Sequence, residues 1–267
     1  VTVRALNKID IDANVVVVAA GVGVAGAGGA GAASIGAVFV SNEVGSASNA
    51  FDVIARVADA RMTVAADMSV TATNSSRIFA NGNAVSAAVA VSSDVAVALS
   101  GAGAGVYNDI YVNTRAEVSR TNGPVGALNT MLTVRSLSVA ATDNADIEAI
   151  AVGASVAVGV GGTVVGVAIS IGVAIAKNTV SNSVIAELKD GALGADQMVV
   201  AGVAGVPGTP AVTTLPPSGG VPVIVTPAVA AAPATGGNIT VVADNDATLF
   251  GTAVAASVAA SFGLLGG

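Results

Sequence analysis

The side chains best suited to chemistry in this 267-residue chain are oxygen donors set close together. Asp143, Asn144 and Asp146, and likewise Asp244, Asn245 and Asp246, offer carboxylate and amide oxygens of the kind a calcium ion takes. Asp143, Asp146, Asp244 and Asp246 are therefore the metal candidates. The matching positions elsewhere hold Asn7, Lys8 and Asp10, and Asn74, Ser75 and Arg77, where Lys8 or Arg77 would repel the ion. An Asx-turn suits all four places better, with Asn7, Asn74, Asp143 or Asn245 bonding the backbone two residues on. These residues are then structural, and no cofactor is expected. Gly21, Gly23 and Gly26 match the G-x-G-x-x-G fingerprint of dinucleotide sites, which needs a helix next and an acidic residue about 20 positions later. More glycine and alanine follow instead, so these glycines are read as the small face of a sheet.

Catalysis has little to draw on. The chain has neither histidine nor cysteine, which removes Ser-His and Cys-His nucleophiles, thiolate metal sites and disulfides. Asp10/Asp12 and Asp244/Asp246 stand two apart and would share one face of a regular strand. A glycosidase cleft would also need aromatic platforms, and aromatics make up only 3% of the chain. The expectation is that this is not an enzyme and has no small-molecule substrate.

The elements that would position these residues recur along the chain. Val3, Val70, Val139 and Val241 open similar segments, and eight residues later each has a large aliphatic: Ile11, Ile78, Ile147 and Leu249. Four residues after the valine come Asn7, Asn74, Asp143 and Asn245. Further on stand Asn42, Asn108 and Asn178, then Ala55/Val57, Ala116/Val118 and Ala186/Leu188. Such self-similarity implies stacked units with a shared core. The unit boundaries are 1–68, 69–137, 138–238 and a partial copy at 239–267. Stacked in register, Asn42, Asn108 and Asn178 would form an asparagine ladder. The chain opens at one copy's short strand and stops within another copy's long segment, which reads as part of a longer repetitive polypeptide.

Hydrophobic residues make up 53% of the chain and charged residues 10%, against about 25% in ordinary soluble domains. Two uncharged stretches, 13–42 and 149–176, have the length of membrane helices. Their pattern rejects helix. From Ile150 to Val160 large residues fall on even positions, and from Val165 to Ile175 on odd ones, with glycine, alanine or serine between. A period of two over eleven residues marks strands. Gly161-Gly162, Ser92-Ser93 and Gly28-Gly29 separate paired runs and are read as hairpin loops. The short strands Val53–Val57, Arg61–Val64 and Met68–Ala72 fit β-helix rungs, and a period of 67–69 residues would hold three rungs of about 22. Short rungs carrying a long hairpin explain the unbroken alternation better. The fold expected is all-β: an elongated, β-solenoid-like repeat array with long alternating Val/Ala/Gly β-hairpins. Both faces of the arms are apolar, so copies of the chain or neighbouring repeats should cover them by lateral packing.

Seven of the eight prolines fall between Pro207 and Pro233. Proline removes ladder donors, so residues of about 190–237 are read as an extended insertion, with a short strand at Val221–Val225. Net charge is −7, which argues against nucleic acid as a partner.

The run Asn178-Thr179-Val180-Ser181-Asn182, continuing to Ala186 and Leu188, resembles the repeats of very large bacterial cell-surface proteins, as does the run from Ala55 to Ala72. Giant adhesins and filamentous-haemagglutinin-like exoproteins alternate Gly/Ala/Val-rich stretches with short β-helical strands in this way. The likeness covers most of 1–192 and 236–267. It implies export, display at the cell surface, and a part in adhesion, matrix or fibres. The expected role is a structural element of a surface fibre, sheath or adhesin stalk. An adhesin module that binds through the 190–237 insertion is the alternative, with an outer-membrane β-barrel segment behind it.

Overall fold

Alternating large and small residues hold the backbone extended, and the computed structural model is all-β with parallel sheets. It describes residues 1–120, 132–190, 199–203, 212–214, 223–226 and 235–263. The first unit supplies β1 (Thr2–Ala25), β2 (Gly29–Val44), β3 (Phe51–Ala58) and β4 (Met62–Val64). The second supplies β5 (Met68–Ser92), β6 (Val95–Ile110), β7 (Val112–Arg120) and β8 (Leu132–Val134). The third supplies β9 (Leu137–Gly161), β10 (Val165–Val180), β11 (Ser183–Asp190) and β12 (Val199–Val203). After them come β13 (Val212–Thr214), β14 (Val223–Thr226), β15 (Thr235–Gly236) and β16 (Ile239–Gly263). Among the described residues no helix is long and apolar enough to cross a membrane.

β1 to β12 and β16 pair in parallel with strands that carry the equivalent residues, whereas β15 joins β12 antiparallel. The sheets run β1-β5-β9-β16, β2-β6-β10, β3-β7-β11 and, at the short strands, β4-β8-β12-β15. Register follows the sequence equivalences: Val3 stands beside Val70, Val70 beside Val139 and Val139 beside Val241. Asn42, Asn108 and Asn178 align in the same way, as do Ala55, Ala116 and Ala186.

Several expectations need correction. The two long arms of a unit do not form a hairpin, because β1 and β2 lie in different sheets that face each other as an arch. The cause is the small-residue face. A Cβ on Gly21 or Gly23 would run into the carbonyls of Ala33 or Gly31 across the gap, so at these positions only glycine allows the approach. One period is a single pass containing one strand of 24 or 25 residues, about 80 Å long, rather than three rungs of about 22. Asn7, Asn74, Asp143 and Asn245 sit inside those unbroken strands, so the expected Asx-turns do not form. The insertion also begins later than expected, since β12 pairs with β8 in register, Val199 beside Leu132. The expected strand at Val221–Val225 overlaps β14, which pairs antiparallel with β13. Residues 191–198, 204–211, 215–222 and 227–234 of the expected insertion lie outside the described residues.

The core has two characters. Where the first halves of the long strands meet the short ones, large side chains fill the interior: Met68, Val70, Ile78, Leu132, Leu137, Val139 and Ile147 are all buried. Toward the tip of the arch the interior is Ala88, Ala90, Ala96, Ala98 and Ala157, with serines bridging the two sheets. Ser86 donates to Ser34 at 2.9 Å and receives from Ser100 at 2.9 Å, while the Ser155 and Ser170 hydroxyls meet at 2.6 Å. The large residues of the arms point outward here, and Ile171 remains 59% exposed.

Candidate functional site

The parallel register turns recurring polar residues into ladders. On the inner face of the first sheet, Asn7 donates from Nδ2 to Asn74 Oδ1 at 2.7 Å, and Asn74 donates to Asp143 Oδ2 at 3.0 Å. Asp143 is fully buried and also accepts from Thr114 at 2.8 Å and from Asn182 at 2.7 Å. Donors therefore engage both of its oxygens, as a buried carboxylate requires. On the second sheet Asn42 donates to Asn108 at 2.9 Å, Asn108 to Asn178 at 3.0 Å, and Asn178 to the Phe250 carbonyl at 2.7 Å. Amides suit such stacks because each carries both a donor and an acceptor.

The calcium candidates do not converge. Asp143 faces inward, while Asp146 projects outward from the opposite face of β9, 3.9 Å from Arg77. Asp10 lies 3.6 Å from the same guanidinium. Asp244 and Asp246 share the outward face of β16, beside Thr142 and Asn144. Among the described residues no three or more acidic side chains gather as a metal group. Asn245 pairs in register with Asp143. At the fingerprint glycines, a bend and then β2 follow, and Gly21 and Gly23 serve the close sheet contact.

Three polar constellations escaped sequence reasoning. On the β3-β7-β11 sheet Arg56, Glu117 and Glu187 are adjacent in register. Glu117 is buried, 3.4 Å from Arg56 and 3.1 Å from Arg115, which also reaches Glu187. Counting one residue on from Ala55, Ala116 and Ala186 would have found this row of one arginine and two glutamates. At the tip of the arch Asp94 accepts from the Gly28 amide at 2.6 Å and from the Thr163 hydroxyl at 3.1 Å. It holds three successive bends together. Near the short strands, Arg135 donates to both carboxylate oxygens of Asp67 at 2.9 and 2.8 Å. That hydrogen-bonded pairing holds the Asp67 carboxyl below its ordinary range and raises Arg135.

No protein family, curated protein or solved structure matches this chain. The site must be read from its own geometry. Apart from the Ser119 hydroxyl and Arg115 Nε, which are buried without a hydrogen-bond partner, the buried polar residues are hydrogen-bonded, and an open depression of about 380 Å3 between Asp67, Ser69, Ser136 and Asn238 holds a single carboxylate. The larger surface that the described residues leave uncovered is apolar. Both outward faces of the arch carry exposed apolar side chains: Val16, Val22, Val156 and Val258 on the first sheet, and Ile35, Phe39, Leu99 and Ile171 on the second. Contiguous exposed apolar area above a few hundred Å2 marks an interaction surface.

Proposed function

We propose that this chain is a β-solenoid segment of an exported bacterial surface protein, acting as a structural element of a fibre, sheath or adhesin stalk. Its role is mechanical. Backbone ladders and amide stacks carry load along the stacking direction, and dry Val/Ile faces join copies sideways. Neither a cofactor nor a catalytic step enters this reading. The observation that carries it is the register, in which residues 67, 69 and 102 positions apart lie side by side as Val3, Val70, Val139 and Val241. Parallel, open sheets also differ from the closed antiparallel sheets of outer-membrane barrels.

Electron microscopy of native material tests the proposal. Fibres or sheaths that survive detergent and high salt are expected, with a meridional reflection at about 4.7 Å. Isolated soluble particles would overturn it. The adhesin alternative draws on the β13-β14 pair within the insertion, beyond the point where β12 rejoins the stack. Binding to a glycan or host protein that disappears on deleting 206–234, with the stack intact, would favour that alternative.

A further inference from the structure

Of the two apolar faces of the arch, the outward face of β2-β6-β10 has the more specific shape. Its relief is written in the register. Ile35, Gly101 and Ile171 lie abreast, then Ala37, Gly103 and Val173, then Phe39, Gly105 and Ile175. The β10 row from Ile169 to Ile175 therefore forms a ridge, while β6 beside it is a short trough at Gly101 and Gly103, closed at one end by Leu99 abreast of Ile169 and at the other by the Phe39 and Tyr107 rings over Gly105. Ile35 and Phe39 form the other wall, 81% and 71% exposed, and the Phe39 ring lies 5.0 Å from that of Tyr107 at the trough's end. No charged side chain lies on this face between Val95 and Tyr107 or between Val165 and Ile175. The exposed aliphatic and aromatic side chains present on the order of 800 Å2, which is one partner's share of a standard protein–protein interface.

We propose that this face is the contact surface for a second copy of the chain. The two sheets pack face to face with a two-fold axis along the strands. Ile171 and Val173 on the β10 ridge of each copy lie over Gly101 and Gly103 in the β6 trough of the other. One strand spacing separates ridge from trough within a sheet, so a half-spacing offset of the axis seats both ridges at once. The contact is then isologous, with the same residues used twice. Strand directions stay aligned, as in packed sandwiches. The Val-bearing face of β1-β5-β9-β16 offers no comparable trough, and its first half is charged through Arg4, Lys8, Asp10 and Arg77. The inference rests on the lateral association proposed above and assigns it to one face.

Filling the trough tests it. A Cβ at Gly103 would meet nothing within 4 Å, so Gly103→Val leaves the isolated chain undisturbed and clashes only with a seated ridge. Sedimentation equilibrium of the full chain should show a reversible dimer whose dissociation constant rises about tenfold or more in Gly103→Val. Ile171→Glu should weaken it at least as much, and Val156→Glu on the other face should not. Circular dichroism and thermal unfolding should be unchanged in all three. Unchanged association in Gly103→Val and Ile171→Glu, or loss in Val156→Glu alone, would overturn the assignment while leaving the stacked-strand reading intact. A monomer that instead partitions into phosphatidylcholine vesicles, through the same face, would overturn it in favour of lipid. Loss of the β signal in the unmodified chain would count against the stacked-strand reading itself.

Discussion

Along β9, Ile147 is fully buried, whereas Val156, nine residues on, is 42% exposed. Both are β-branched residues in one regular strand, and their opposite fates separate two regions of the molecule. Around Ile147 the facing sheets are far enough apart for aliphatic side chains, and the outward positions are polar: Asn144, Asp146 and Glu148. Around Val156 the gap closes to the width of alanine, serine and bare glycine, and large residues turn outward. The first region is an ordinary core with a wet surface. The second is inverted, with its cohesion in backbone proximity and its hydrophobic side chains left for a neighbour. Burial of large residues is therefore set by the spacing between sheets, and glycine and alanine set that spacing.

Substitutions that act on one region and spare the other test this contrast. The largest effect belongs to Ile147→Ala, which opens a cavity in the first region. A loss of about 2–5 kcal/mol is expected from denaturant midpoints; a loss below about 1 kcal/mol would mean the core there is as loose as the arch. Next comes Gly153→Val, which forces a side chain into the Val173 backbone across the arch. Overpacking of about 1–3 kcal/mol is expected, with amide exchange accelerating in β10 but not in β7. Exchange that accelerates evenly through both would show a single cooperative unit.

Val156→Thr on the outer face should change unfolding by less than about 0.5 kcal/mol. Light scattering at high concentration would show instead whether that face is sticky. The smallest effect concerns Asp67. Its folded carboxyl titrates below the ordinary value because Arg135 donates to it. The pairing therefore contributes stability above about pH 4 and loses it as pH falls through the folded value. Asp67→Asn should flatten this acid limb slightly, and added salt should do the same, since the pair is exposed. An acid limb that is identical in both proteins would assign the titration elsewhere.

Much of the stack could be read from residue order. Alternation from Ile150 to Val160 and from Val165 to Ile175 specified strands, and the equivalence of Val3, Val70, Val139 and Val241 anticipated the pairing register. The ladder at Asn42, Asn108 and Asn178 was legible for the same reason. Asn7, Asn74 and Asp143 misled, because a short polar run looks like a turn when its strand's inner face happens to be polar. Their partners, Thr114 and Asn182, come from other strands, and no local spacing announces them.

The sequence alone determined what is local or periodic: extended backbone, two-residue alternation, and which positions correspond between units. Period and propensity act over a few residues and need no partner. Which arm pairs with which, and whether the Val/Ile or the Ala/Gly row faces inward, was decided only by tertiary structure. Both rows are apolar, so hydrophobicity alone could not rank them. The choice rests on how closely two backbones can approach, and that distance exists only once the sheets have met.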